Sequence, residues 1–211
     1  MKIEVCNLKK IIKKNVVLDN INLNLNDGHI YGLTGRNGSG KSVLLKIICG
    51  LYRPTNGEIL IDGINYSKAN MYFPDLRALI ETPSFFPELT GYENLALLAK
   101  IQNKIGENEI IDSLRKVNLY EEKDKKFSEY SLGMKQKLGI AQVMMENPKI
   151  IILDEPFNGI EEESVKKITD ILIEEKKKGK LIIISTHIKE DLNKLADKIF
   201  LIDNGKIKDE K

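Results

Sequence analysis

HIYGLTGRNGSGKSVLLKIICG, residues 29–50, decides the fold of this chain. Within it, GRNGSGKS at 35–42 satisfies the pattern G-x-x-x-x-G-K-[ST] in full. The apolar segment HIYGLT before it reads as a strand. VLLKIICG after it has the apolar spacing of a helix packed on a sheet. In that context Gly35, Gly38 and Gly40 let the backbone curl, so that successive N–H groups face phosphate oxygens. The helix start adds the positive end of its dipole. Arg36, Asn37 and Ser39 complete the cradle, Lys41 is expected to reach the β- and γ-phosphates, and the Ser42 hydroxyl is expected to ligate Mg²⁺.

Further along, IIILDEP at 150–156 supplies acids at a strand end. Residues 150–153 form a continuous apolar run, as in a strand buried on both faces of a parallel sheet. Open α/β sheets place ligands beyond the carboxyl ends of their strands, where the cradle also lies. Asp154 is then expected to hold Mg²⁺ through its water shell, and Glu155 to polarise an attacking water as general base. A second run, 181–184, leads into STH at 185–187. His187 is expected at the end of this strand, within reach of the γ-phosphate, whereas the other histidine, His29, reads as a surface or core residue.

YSLGMKQ at 130–136 is less decisive. Ser131 and Gly133 open a stretch, 132–145, with the periodicity of an amphipathic helix. A hydroxyl and a free N–H at a helix start make an anion site, or simply a capped helix. The spacing does not say whose nucleotide such a site would serve.

The ordered set of four motifs resembles the ATP-binding cassette (ABC) ATPases over essentially the whole chain. SLGMKQ is similar to the family's LSGGQ signature, ILDEP to its extended acidic strand, and STH to the segment that carries its switch histidine. The resemblance implies a P-loop NTPase of the α/β class, with a mostly parallel sheet core, an antiparallel β subdomain and an inserted α-helical subdomain. It implies ATP and Mg²⁺ as cofactors, ATP hydrolysis, and a head-to-tail homodimer in which Ser131 and Gly133 meet the partner's γ-phosphate. ALIETPSFFPELTGYENLALLAK, 78–100, resembles the bacitracin-resistance and lantibiotic-immunity branch, which carries glutamate where most cassettes have glutamine; Glu81 stands there. That position implies contact with the metal and the attacking water. Where the family stacks an aromatic ring on adenine, alignment places the aliphatic Ile12, so base contact is expected to be weaker. Glu161 replaces the usual aspartate of the loop after the acidic strand.

Composition fits a soluble cytosolic subunit; the resemblance implies that a permease partner holds it at the inner face of the cell membrane. Lys and Arg total 33 against 31 Asp and Glu, a net charge of +2, which is no electrostatic footprint for nucleic acid. The runs KDKK at 123–126 and EEKKKGK at 174–180 read as solvated, and Cys6 and Cys49 as buried reduced thiols. No signal peptide and no apolar run near 18 residues stand out, so no span is expected. A single ABC ATPase domain is expected over 1–211, with a catalytic core of about 1–82 and 147–211 and a helical signature lobe of about 83–146.

Alternating segments near the N-terminus read as a small antiparallel layer. Thr90 and Glu93 form a capping box, and 107–117 repeats at helical spacing. Strands are expected at 150–154, 181–185 and 198–202, with helices from about 161 and near 189. The chain ends soon after the last of these strands, so control is expected from the partner.

Residues 83–95, with Phe85, Phe86, Leu89 and Tyr92, form a Pro-bounded loop between core and lobe. The resemblance implies that a permease's cytoplasmic helix docks here; packing of lobe on core is the alternative. The expected function is energy coupling for export of a peptide antibiotic or similar amphiphile. Two alternatives stay open: a soluble ABC ATPase acting on DNA or ribosomes, and a slow ATP-binding dimerisation switch.

Overall fold

Apolar and polar residues alternate through the first 26 positions, and they fold as a long hairpin in this computed structural model, which describes residues 1–67 and 73–210. Residues 68–72 and 211, inside the expected core segments, lie outside the described residues. Strand β1 (Lys2–Ile12) pairs antiparallel with β2 (Asn15–Asn26), with Ile3 opposite Leu25 and Val5 opposite Leu23. Lys13 and Lys14 turn the hairpin with φ of 46° and 69°, the signs of a primed two-residue turn.

The cradle segment follows as expected: β3 (Ile30–Thr34), a loop, then α1 (Lys41–Ile48). β4 (Asn56–Ile61) returns to pair with β1, and β5 (Ile64–Asn65) completes a four-stranded sheet ordered β2-β1-β4-β5. The sequence reading anticipated neither β4 and β5 nor two strands at opposite edges of the second sheet, β6 (Leu76–Leu79) and β10 (Lys206–Glu210).

The lobe is helical. α2 (Gly91–Gln102) carries the Thr90–Glu93 capping box, with Glu93 N–H donating to Thr90 Oγ1 at 3.1 Å and Thr90 N–H to Glu93 Oε2 at 2.8 Å. α3 (Glu107–Lys116) and α4 (Leu132–Met144) complete it. The chain then alternates through β7 (Ile150–Asp154), α5 (Glu162–Lys177), β8 (Leu181–Ser185), α6 (Lys189–Asn193) and β9 (Lys198–Asp203). The second sheet is ordered β10-β9-β3-β8-β7-β6 and is parallel except for β10.

The apolar runs are continuous because this sheet is buried on both faces. Ile150, Ile152, Leu181 and Ile183 face a core shared with α1 and the hairpin sheet. Ile151, Leu153, Ile182 and Ile184 face a second core beneath α4, α5 and the lobe. Each such side chain contributes about 1.5–3 kcal/mol on leaving water, so the carboxyl edge of the sheet is a rigid platform.

Two expectations need correction. Cys6 and Cys49 are free but only half-buried; burial still pushes the Cys49 thiol up to about 12. EEKKKGK is not uniformly solvated, because the phase of α5 turns Glu175 inward and Lys180 leads into β8. Both are buried, and Glu175 accepts from Lys178 at 2.7 Å and pairs with Lys180. In the 83–95 loop, Phe85, Leu89 and Tyr92 are half-buried, with Phe85 edge-on to Phe127 at 5.2 Å, while Phe86 is 60 % exposed. Packing and exposure thus divide this loop. Among the described residues no helix is long and apolar enough to cross a membrane.

Candidate nucleotide-binding and catalytic site

Register gathers the motif residues at one sheet edge. Leu33 of β3 lies opposite Ser185 of β8, Ser185 opposite Asp154 of β7, and Leu79 of β6 opposite Leu153. The segments leaving these strands carry the cradle, Asp154–Glu155, His187 and Glu81.

The cradle depends on its glycines. Gly35 has φ of 148°, and a Cβ there would stand 2.1 Å from the Ile202 carbonyl oxygen; Gly40 has φ of 112° and would meet Leu18 Cδ2 at 2.7 Å. The loop is therefore pinned between β9 and the hairpin. The Lys41 ammonium is buried and donates to the Gly35 and Arg36 carbonyls at 2.8 and 3.3 Å, while buried Ser39 Oγ has no hydrogen-bond partner. A groove of about 420 Å³ runs from Ile12, Asn15 and Val17 past Asn37, Gly38 and Gly40 to Lys41, Ser42 and Glu155. It joins an aliphatic end to a phosphate-cradling end, and it brings the expected base to the same cavity.

Asp154 is buried and accepts from the Ser185 hydroxyl, which holds one carboxylate oxygen in place. Glu155 leaves the strand in a left-handed conformation, φ 47°, its N–H donating to the Ser185 carbonyl at 2.8 Å. A non-glycine residue so placed costs of order 1–2 kcal/mol, which the surrounding bonds must hold. The Glu155 carboxylate accepts from the His187 N–H at 3.0 Å, and His187 Nδ1 lies 3.0 and 2.9 Å from its two oxygens. An ionised carboxylate only accepts, so Nδ1 carries the proton and Nε2 is left free.

YSLGMKQ proves to be wired to this centre. Ser131 caps α4, its Oγ accepting from Met134 N–H at 3.2 Å. Gln136 Nε2 donates to the Glu155 carbonyl at 3.1 Å. Lys137, buried, donates to Glu161 Oε1 at 2.6 Å, and Ser164 Oγ donates to the same oxygen at 2.8 Å. The Lys137 ammonium first, then Glu161's own N–H and Ser164, holds the Glu161 carboxyl down to about 2. Sequence reasoning had Gln136 inside a quoted motif without a role and passed over Lys137; its signal was a cation at helical spacing from Gly133 on the same motif helix.

Glu81, expected to meet the metal and the attacking water, is engaged by a lysine. In a left-handed conformation, φ 64°, and largely exposed, it pairs with Lys46 of α1 at 2.5 Å. Glu81 above all, then Tyr52 and Asp154, raises the Lys46 ammonium above its ordinary value against the opposing effect of burial. The structure thus brings the cradle, Asp154, Glu155 and His187 together, leaves Ser131 exposed and Gly133 buried at the start of α4, and engages Glu81 with a lysine.

The site fits a nucleoside triphosphate: the buried Lys41 ammonium and the glycine-rich loop line one end of a groove of ligand size. It also fits Mg²⁺. Ser42 and Asp154 offer hard oxygen donors, and among the described residues no group of three or more acidic, His or Cys side chains could cage a metal. That donor set suits an ion carried largely by phosphates and water.

Fold and site together define a phosphate-loop nucleoside triphosphatase. Comparison with known proteins gives its family. Residues 18–158 match the ABC transporter family. The bacitracin transport ATP-binding protein BcrA of Enterococcus faecalis is 40 % identical, covering 99 % of this chain and 68 % of the relative. The lantibiotic transport ATP-binding protein SrtF of Streptococcus pyogenes is 36 % identical, over 97 % of this chain and 88 % of the relative. A solved dimeric bacterial ABC transporter cassette, MJ0796, superposes with a TM-score of 0.90 at 25 % identity, covering 99 % and 97 % of the two chains. The chain belongs to the ABC transporter family; it is an ATP-binding subunit that hydrolyses ATP to drive a transporter.

Proposed function

We propose that ATP lies along the Ile12–Glu155 groove with its triphosphate in the 35–42 loop, and that Glu155 is the general base. Gly35, Arg36, Asn37, Gly38, Ser39 and Gly40 wrap the phosphates, and Lys41 exchanges its loop carbonyls for the β- and γ-phosphates. Ser42 and Asp154 would hold Mg²⁺, which would supply charge neutralisation to the bound phosphates. His187 orients Glu155 through the contacts at 2.9–3.0 Å and leaves Nε2 for the γ-phosphate. Glu155 draws the proton from the attacking water, a role worth about 10² to 10⁴ in rate. The observation that carries this reading is the Glu155 carboxylate, bound by His187 and lining the groove that also holds Lys41 and Ser42.

The working unit in this reading is a homodimer in which Ser131 and Gly133 face the partner's γ-phosphate, completing a site that one chain builds only in part. Each chain divides into a core of about 1–82 and 147–211 and a signature lobe of about 83–146. A permease docks at 83–95, where Phe86 lines a groove of about 350 Å³ together with Leu97 of α2. This places the subunit at the cytoplasmic face of the membrane, and the likeness to BcrA and SrtF supports a peptide antibiotic or similar amphiphile as cargo. Phosphate release from ATP by the purified chain tests the site: Lys41→Ala should abolish it, and undiminished release would remove the 35–42 loop from catalysis.

A further inference from the structure

Two identical chains joined head to tail are related by a two-fold axis, so a contact made by one copy is repeated by the other. With Ser131 of each copy facing the other's γ-phosphate, the axis passes between a chain's own Ser131 and its own 35–42 loop. The segments after Glu155 and His187 span that interval. Glu155 is bonded to Gln136 of α4 on one side and to His187 on the other, and the start of α5 meets α6 around a cavity lined by Phe157, Glu162, Glu163, Asp191 and Lys194.

This interval carries opposite charges that are not paired within the chain. Glu161 is engaged by Lys137 at 2.6 Å. Glu162 and Glu163, in the first turn of α5, are exposed, and among the described residues neither makes an ion pair or a side-chain hydrogen bond. The helix dipole favours acids at this position but leaves their outer oxygens to solvent. Lys189 opens α6, is exposed and is equally unpaired among the described residues. With Arg36, Asn37, His187, Ile199 and Leu201 it lines a groove of about 510 Å³, to which no acidic side chain contributes. One face thus offers two glutamates, and the other a groove with two permanent cations.

We propose that Glu162 and Glu163 of one copy enter the Arg36–Lys189 groove of a second copy, and the reverse, so that two reciprocal sets of ion pairs flank the axis. The inference rests on the proposed homodimer and adds the contact that selects this chain as its own partner. Each set ties the segment following one copy's Glu155 to the segment carrying the other's His187. Single exposed ion pairs add little to affinity, but reversing a charge turns attraction into repulsion and changes partner choice.

Charge reversal tests this in the full chain carrying Glu155→Gln, with ATP and Mg²⁺, by sedimentation measurement of the dimer dissociation constant. Lys189→Glu should weaken the dimer at least tenfold, and so should Glu162→Lys combined with Glu163→Lys. An equimolar mixture of the two variants should associate at least tenfold more tightly than either alone, because the mixed dimer keeps one native set and gains one reversed set. Affinity for a fluorescent ATP analogue should stay within threefold in both. Dimers within twofold of the parent, or a mixture no tighter than its components, overturn the inference. Should a reversal fail to fold, neutral variants decide. Lys189→Gln, and Glu162→Gln with Glu163→Gln, should each weaken the dimer about threefold, and all three together by much less than the product; a full product overturns the pairing. A Glu155→Gln chain that stays monomeric with ATP would instead remove the homodimer, an outcome distinct from a dimer indifferent to these charges.

Discussion

Gly133→Ala strikes the point where the signature helix meets the loop after the acidic strand. A Cβ built at Gly133 stands 2.4 Å from the Gly159 carbonyl oxygen and 3.3 Å from its carbon, both backbone atoms. Ordinary contact begins near 3.4 Å, so helix or loop must shift by about 1 Å, and no flexible side chain is available to yield. Gly159 cannot simply turn away. Its φ is 74°, and its own α-carbon already faces Leu132 closely, where an added Cβ would meet Cδ2 at 2.8 Å. Overpacking of this kind costs about 1–3 kcal/mol, or about 2–12 °C in melting temperature for a chain of this size. The displaced loop carries Glu155 at its start and Glu161 at its end, each bonded to α4 through Gln136 and Lys137. A 1 Å misplacement of a catalytic group costs about 10²-fold in rate. Thermal unfolding by circular dichroism and phosphate release from ATP read the two effects, and affinity for a fluorescent ATP analogue should stay within about threefold because the 35–42 loop is untouched. A variant with the parent's melting temperature and turnover within twofold would refute the argument that this glycine is required by close backbone approach.

Three further outcomes follow from other parts of the molecule. Ile12→Tyr should tighten ATP binding about two- to tenfold, measured by fluorescence titration, because a ring at the aliphatic end of the groove stacks on the base for about 0.5–1.5 kcal/mol. Glu161→Gln leaves buried Lys137 without its counter-charge and should cost about 1–2 kcal/mol at pH 7, a figure reduced for the exposure of the glutamate. Because Glu161 titrates near 2 when folded, below its ordinary 4.5, that stabilisation is complete above about pH 4.5 and is lost as pH falls toward 2. Denaturant unfolding of parent and variant should therefore converge on acidification, and a gap that stays constant with pH would contradict the pairing. Phe86→Asp should leave melting temperature and phosphate release of the isolated chain unchanged while abolishing co-purification with the membrane partner; retained co-purification would move the docking surface elsewhere.

Much of the core was legible because its physics is local. The strands expected at 150–154 and 181–185 match β7 and β8 residue for residue, since a strand buried on both faces shows as a continuous apolar run, here 150–153 and 181–184. The cradle glycines, the Thr90 cap and the helical period of 107–117 announced themselves the same way. β6 did not, because at four residues on a sheet edge it has one buried side chain, Leu79, among half-buried ones. KIKDE of β10 reads as a charged tail, yet an edge strand takes its order from backbone pairing with β9. The site residues were legible one motif at a time, but their wiring was not. Lys46 with Glu81, Lys137 with Glu161, Ser185 with Asp154 and Glu175 with Lys180 all join residues that only the folded chain brings together. Glu175 shows the difficulty most plainly, since within EEKKKGK only the phase of α5 separates the inward glutamate from its solvated neighbours.

Glu155→Gln tests the central claim most directly, because the amide preserves shape and one accepting oxygen while removing the base. Size-exclusion chromatography with ATP and Mg²⁺, run alongside phosphate release, should show the variant as an ATP-dependent dimer whose turnover has fallen about 10²- to 10⁴-fold. A variant that stays monomeric and hydrolyses ATP like the parent would contradict both the role of Glu155 and the paired site.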